Sequence, residues 1–458
     1  MTTTPELVRG MRDTTTPQIQ QRQTIIQHLQ HGFDYAGYDA IDVPLLEHRD
    51  LYLRKSGDEL VAKLYHWTQG GRELALRPEW TASVLRAVIN GMGDAPQPLR
   101  LHYAGPVFRY ERPRRATYRQ FTQVGVELIG AHGARADAEI LGLAVSGLQR
   151  IGIEGWTLTI GHIGIIKALL ATLGLPERTS SALAWSLERI RVRGIERVRD
   201  EWQVEAPSVP ASLDSLSHLA DDDIETLLLN VLPALGVQLD GTGREASTII
   251  NRLVRKLRRA DNPDHLERAW HVLEVLSQAH GTPALMLPVI RQLLHDHGLS
   301  SDMLDQLEAT LDLLPAYGVP DNQIVLDFGM GRGLHYYTGL IFEIDGFDGL
   351  QLCGGGRYDD LVAALGGRST PAVGFAYGLE RVMLAAPAPE IVPLPSVLVV
   401  GDDARLVIQA AKQLRDQGYR AMTALRQRTL SAHINEARRR GFGRIAIVTS
   451  AGVEVREV

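Results

Sequence analysis

Cysteine is nearly absent: Cys353 is the only one in 458 residues. That excludes a disulfide framework and a zinc site built on thiolates, and it fits a reducing compartment. Long apolar runs are missing too. No stretch approaches the roughly 18 uninterrupted apolar residues that a membrane span needs, so no membrane association is expected. The opening MTTTPELVRGMRD has neither the basic start nor the apolar run of a secretory signal, and a cytoplasmic location is expected. No internal repeat or low-complexity block is visible. Strong charge of either sign is also lacking. The formal net charge is −6, which argues against a surface built wholly to grip nucleic acid. The last 62 residues differ, with ten Arg and one Lys against six acids, so they carry +5 and the remainder −11. Such a tail can touch RNA phosphates. The plainer reading is a helix with a solvated arginine face, as in Glu436–Ala437–Arg438–Arg439–Arg440.

What is present is ordinary globular composition, 45% apolar and 22% charged, at a length that predicts two or three domains. Ile19, Ile25, Ile26, Leu29 and Phe33 recur at helical steps over residues 17–37. Residues 38–45 read as a strand ending near Pro44, and a second strand ends at Leu76 before a helix over 81–89. Residues 100–130 hold two apolar runs, LRLHYAGPVFRYE and RQFTQVGVELIG, around the basic loop Arg112–Pro113–Arg114–Arg115–Ala116–Thr117. That pattern predicts an antiparallel hairpin with a long loop. A helix over 137–151 and a strand over 156–160 follow. From 165 to 314 strand signals nearly vanish, and apolar residues recur at helical spacing. Strands resume at 324–328 and 340–344, and residues 372–384 read as a strand passing into a helix. A proline-rich linker at 385–396 marks a boundary. The tail alternates strand and helix, which predicts a small α/β unit with parallel pairing.

Several clusters carry chemistry. Arg109 beside Glu111 can bind a phosphate and an amine together, since the planar guanidinium donates bidentately; a cross-strand salt bridge is the plainer alternative. Gln123 and Glu127 stand four apart on one strand and so face one side. Polar groups projecting from the apolar run QVGVELIG need partners or a ligand. Glu79 and Thr81 sit at a strand-to-helix turn, where they suit an ammonium group or, alternatively, helix capping by Thr81. Residues 329–360, GMGRGLHYYTGLIFEIDGFDGLQLCGGGRYDD, place guanidinium, phenol and hydroxyl groups beside glycine-rich backbone that a ligand can approach closely.

Jointly these segments resemble the class II histidyl-tRNA synthetase superfamily over residues 8–170 and 320–458. The resemblance implies an α+β fold: a class II synthetase-like antiparallel sheet flanked by helices, with a helical insertion and a small C-terminal α/β domain. It divides the chain into a core at 1–165 and 315–384, an insertion at 166–314, a linker at 385–396 and a truncated anticodon-binding-like domain at 397–458. Arg109 would bridge the substrate carboxylate and the ATP α-phosphate, and Glu111 would contact adenine. Glu79 and Thr81 would hold the amine, Gln123 and Glu127 would line the pocket, and Tyr337 and Tyr358 would bond the imidazole. Arg332 would be the activating arginine. Arg381, in Gly378–Leu379–Glu380–Arg381, would hold the γ-phosphate, and Arg119 completes the ATP set. No metal is expected from the protein's own ligands.

Two branches of that superfamily fit. One is the regulatory subunit of ATP phosphoribosyltransferase, a relative without aminoacylation activity. YAGPVFR, GVELIG and Ile160–Gly161–His162–Ile163–Gly164 resemble it. His335 stands where the synthetase motif is usually acidic, Ala116–Thr117 replaces a common Gly–Arg, and the tail stops about one helix and one strand early. The favoured expectation is therefore a histidine-sensing subunit of histidine biosynthesis. It would dock on the short catalytic subunit of ATP phosphoribosyltransferase, bind free histidine, form a homodimer around residues 40–47 and require no cofactor. The alternative is a histidyl-tRNA synthetase that uses ATP and Mg²⁺ and binds tRNA.

Overall fold

The computed structural model describes residues 5–54, 58–175, 177–205, 227, 263–330, 336–387 and 394–458. Arg332, His335, half of the proline-rich linker and the middle of the expected insertion therefore lie outside the described residues. The chain forms two compact units, Met1–Pro387 and Ala388–Val458.

The strands of the first unit are β1 (Asp39–Ala40), β2 (Leu46–His48), β3 (His66–Gln69), β4 (Arg72–Leu76), β5 (Leu99–Phe108), β6 (Gln120–Ile129), β7 (Thr157–His162), β8 (His280–Gly281), β9 (Ile324–Asp327), β10 (Leu340–Asp345), β11 (Gln351–Arg357) and β12 (Ala372–Gly378). Among the described residues, nine build one sheet in the order β1-β5-β6-β12-β11-β10-β7-β9-β8, and β2-β4-β3 build a small second sheet. The large sheet is mostly antiparallel, with β1–β5 and β7–β9 parallel. The expected hairpin is its longest pairing, next to the β1 edge: ten residue pairs run from Leu99↔Ile129 to Phe108↔Gln120.

Alternation sorts the side chains onto two faces. Val124, Val126 and Leu128 of β6 pack with Leu29 and Phe33 of helix Thr16–Tyr35 and with Ile140, Leu141, Ala144 and Leu148 of helix Ala134–Arg150. Leu183, Trp270, Ile290 and Leu304 join this same cluster, so helices from the stretch expected as an insertion add to the main core. On the opposite face, Leu99, Leu101, Tyr103 and Val107 of β5 pack with Trp80, Val84, Leu85 and Val88 from helix Thr81–Gly91 and the residue before it. Gln123 and Glu127 project from β6 on that second face, directly across from Gly105 and Leu101.

Three local expectations change. The strand expected over 38–45 is only two residues long, because Arg77 takes the carbonyls beyond it. Its Nη1 donates to the Val43 carbonyl at 2.7 Å, its backbone N–H donates to Leu45, and Pro44 has no N–H to give. The glycine triplet 354–356, which carried no strand signal, lies within β11 and is paired on both sides. And β8, inside the helical stretch, pairs with β9 at the sheet edge.

In the second unit, β13 (Ser396–Gly401), β14 (Arg420–Thr423), β15 (Arg444–Thr449) and β16 (Gly452–Glu457) lie in the order β14-β13-β15-β16. The first two pairings are parallel, as expected, and the last is antiparallel. Helix Ala404–Asp416 packs Val407, Ala410 and Leu414 against Val397, Val399 and Val448. Helix Leu430–Arg439 packs Ala437 against Leu398, Val400 and Ile445 from the other side. Arg438, Arg439 and Arg440 stay exposed. Among the described residues no helix is long and apolar enough to cross a membrane.

Candidate functional site

The site centres on a carboxylate that the sheet buries. Glu127 is 1% exposed and accepts three hydroxyl donors: Thr81 Oγ1 at 2.7 Å and Tyr103 at 3.1 Å on Oε1, and Tyr358 on Oε2. Burial pushes its carboxyl up to about 8, although the three hydroxyls favour the charged form. No cation is bonded to it among the described residues, so an ionised Glu127 calls for a donor from a ligand.

Backbone packing fixes where this carboxylate sits. Glu127 pairs in register with Gly374 of β12. A Cβ on Gly374 would stand 2.0 Å from Glu127 Oε2 and 2.5 Å from the Val126 carbonyl. Gly374→Ala is therefore expected to displace the carboxylate, costing about 1–3 kcal/mol of stability and raising the KM for the ligand that Glu127 reads by about tenfold or more. Thermal unfolding and ligand titration of the variant check both.

The strand-to-helix turn brings the second carboxylate. Glu79 accepts the Ala82 N–H at 3.0 Å and so caps helix Thr81–Gly91. Thr81 does not cap; its hydroxyl is turned to Glu127 instead. Burial raises the Glu79 carboxyl, while the Ala82 N–H, the Arg109 charge and Thr81 pull it down. Arg109 is anchored to this turn: its Nε donates to the Pro78 carbonyl at 2.8 Å, and its guanidinium lies 5.2 Å from the Phe121 ring centre. Gln123 lies on the Glu127 face, and its buried Oε1 has no hydrogen-bond partner.

Three tyrosines wall the far side. Tyr336 and Tyr337 have ring centres 4.5 Å apart, and Tyr358 lies 6.0 Å and 6.4 Å from them. The structure thus bonds Thr81 and Tyr358 to Glu127, sets Glu79 and Arg109 at the adjoining turn and Tyr337 against Tyr358, and places Gln123 two strand periods from Glu127. Tyr103 and Tyr336 are the members that sequence reasoning missed. Hairpin parity was the available signal for Tyr103, since it stands opposite Gly125 on the Gln123–Glu127 face.

The remaining expected residues lie around the hairpin mouth and the β12 end. Glu111 is 3.4 Å from Lys63 Nζ. Arg119 Nε donates to the Glu111 carbonyl, with its guanidinium 4.0 Å from the Tyr110 ring centre. Arg381, on helix Leu379–Ala385, donates to the Gln351 carbonyl and side chain at 3.2 and 3.3 Å. Glu380 beside it is buried and accepts the Thr122 N–H, tying that helix to β6. Arg357, by contrast, faces away from the site into an ion pair with Asp137. The Trp80 indole is buried, packed with Tyr103 and Val107 of β5. Among the described residues no cluster of three or more His, Cys, Asp or Glu could hold a metal ion.

A family model for histidyl-tRNA synthetase matches residues 10–238 and 229–382. The histidine--tRNA ligase of Methanocaldococcus jannaschii is 31% identical over 446 residues, 96% of this chain and 91% of that protein. That of Pyrococcus furiosus is 29% identical over 460 residues, 98% and 92%. Among solved structures, an ATP phosphoribosyltransferase regulatory subunit/histidyl-tRNA synthetase from Bacillus halodurans shares the fold with a TM-score of 0.68 at 23% identity, covering 97% of this chain and 99% of that one. The apo histidyl-tRNA synthetase of S. aureus does so with 0.60 at 22% identity, covering 99% and 97%.

The ligase relatives overturn the expectation of a regulatory subunit that docks on ATP phosphoribosyltransferase and performs no aminoacyl transfer. The residues behind that expectation answer to packing. His162 is a helix cap, its Nδ1 accepting the Ile165 N–H at 3.2 Å, and burial holds its imidazole down at about 4. The final strand β16 pairs along β15 as the edge of the small sheet.

Proposed function

The chain belongs to the histidyl-tRNA synthetase family, and on that premise we propose that it is a cytoplasmic histidine--tRNA ligase. It would join histidine to ATP and pass the histidyl group to tRNA. In the first step a carboxylate oxygen of histidine attacks the α-phosphorus and pyrophosphate leaves; in the second a tRNA hydroxyl takes the acyl group and AMP leaves.

The observation that supports this reading best is the buried, hydroxyl-ringed Glu127, bonded through Thr81 to the turn that carries Glu79 and anchors Arg109. An imidazole N–H supplies the donor that Glu127 lacks, with Tyr337 and Tyr358 on the ring. Glu79, Thr81 and the orphaned Gln123 oxygen suit the ammonium group, as Thr81 donates to Glu127 but keeps lone pairs to accept. Arg109 stands at the turn where the substrate carboxylate and α-phosphate would meet. Arg109, Arg119 and Arg381 form a donor set suited to a polyphosphate, with Glu111 toward adenine. Arg332 would act on the same phosphate. Mg²⁺ would be carried mainly by the phosphate oxygens. A homodimer of the synthetase type fits the reading, and the exposed arginines of 438–440 suit tRNA phosphates.

The test is ATP–pyrophosphate exchange followed by charging of a tRNA-His transcript. Exchange that appears only with histidine, and a charged transcript, are expected. An inert chain with intact fold would overturn the assignment.

A further inference from the structure

Trp80 separates the two residues of the ammonium-side turn, Glu79 and Thr81, and it reaches into the hairpin. Its indole stacks nearly parallel on Tyr103, with ring centres 4.7 Å apart at 7°. The Arg77 guanidinium lies 3.5 Å from the indole centre. Trp80 Nε1 donates to the Gly105 carbonyl at 3.3 Å. Arg77 is itself fixed by the carbonyls of Val43 and Pro106, at 2.7 and 2.9 Å. At the other end of the stack, the Tyr103 hydroxyl donates to the Glu127 oxygen that Thr81 also reaches. Gly105 makes the room: a Cβ there would stand 2.7 Å from Trp80 Cζ2 and 2.9 Å from Arg77 Nη2. Both aromatic residues are at most 2% exposed, and the Tyr103 hydroxyl borders the site through Glu127.

We propose that the Trp80–Tyr103 stack is a positioning device that locks the Glu127 carboxylate to the Glu79–Thr81 turn and so fixes the distance between the imidazole-reading and ammonium-reading ends of the pocket. The claim rests on the histidine-binding reading above. The chain of contacts is short and closed. Trp80 is covalently between the ammonium-side residues, Tyr103 is hydrogen-bonded to the imidazole-side residue, and the two rings are held face to face. Two aromatic rings in a packed interior have little freedom to slide. Tyr103 and Trp80 are thus positioning residues for an α-amino acid of one side-chain length, and they act on histidine rather than on ATP.

Two conservative variants separate this from a general scaffold role. Tyr103→Phe keeps the stack and removes the hydroxyl. It is expected to raise the KM for histidine by about tenfold, the scale of one lost hydrogen bond to a buried carboxylate, with the KM for ATP unchanged. Trp80→Leu removes the stack and is expected to raise the KM for histidine at least as much, with Trp80→Phe recovering most of it. ATP–pyrophosphate exchange gives both constants. Unchanged histidine KM in Tyr103→Phe and Trp80→Leu, in a chain whose wild type shows histidine-dependent exchange, overturns the positioning role alone. So do equal rises for histidine and ATP. A wild type without histidine-dependent exchange removes the assignment beneath it.

Discussion

Glu127→Ala is expected to lower kcat/KM for histidine by about 10³-fold, the scale of losing one partner from a buried charged contact, while leaving the KM for ATP within a few-fold. Two effects add. The substrate's ring loses its acceptor, and the hydroxyls of Thr81, Tyr103 and Tyr358 lose theirs in a site closed to water. Glu127→Gln separates charge from shape. In the folded protein burial raises the carboxyl to about 8 from an ordinary 4.5. Its protonated form is therefore the one the ligand-free fold favours. That contribution is complete below pH 4.5 and is lost as pH rises through 8, so wild type should lose stability relative to Glu127→Gln across that window. Histidine reverses the preference. Its imidazole titrates near 6.5, so between that pH and 8 a neutral ring and a protonated Glu127 together hold the one proton that an imidazolium–carboxylate pair needs. Histidine affinity should peak there and fall on both sides. Glu127→Gln should lose the upper flank, and calorimetric titration from pH 5.5 to 9 reads it directly.

The parts of this site that follow a period were legible in the sequence. The hairpin announced itself by two apolar runs around a basic loop, and a two-residue period alone put Gln123 and Glu127 on one face. Tyr337 and Tyr358 flagged themselves by standing within two residues of a glycine. What the sequence hid were contacts made across the chain. Thr81 read equally well as a helix cap or a ligand group, and the choice depends on Glu127, 46 residues away. Tyr103 looked like one apolar residue among many until its partner strand was in place. A run of three glycines carries no strand period, so β11 was invisible. The functional misreading had the same root. Segments such as Ile160–Gly161–His162–Ile163–Gly164 were weighed as marks of a branch, yet a capping histidine answers to its own helix and says nothing of catalysis.

Arg357→Ala should be among the most damaging changes away from the pocket, costing about 3–5 kcal/mol, the usual penalty for stranding one half of a buried ion pair. Arg357 is 4% exposed and Asp137 2%. The guanidinium donates twice to Asp137 Oδ1, at 2.9 and 2.7 Å, and also to the Ala131 carbonyl and Asp359. Burial alone would lower the Arg357 pKa, but the two carboxylates more than offset this and it rises, while burial raises the Asp137 carboxyl against the pull of the guanidinium. The bond spans 220 residues of sequence and fastens β11 to helix Ala134–Arg150. Its removal leaves Asp137 with only the Gln306 amide, at 3.2 Å, of its side-chain partners. Because Tyr358 follows Arg357 directly, the same loss should loosen the phenol that closes on Glu127, and histidine KM should rise with the drop in stability. The double replacement Arg357→Met with Asp137→Leu distinguishes the two consequences. It strands no charge, so most of the stability should return; the histidine KM should stay high, because a flexible thioether cannot hold the strand end as the forked guanidinium does. Urea unfolding beside exchange kinetics on the single and double variants measures both. Recovery of stability and KM together would show that Arg357 serves the fold alone and that Tyr358 needs no help from its neighbour.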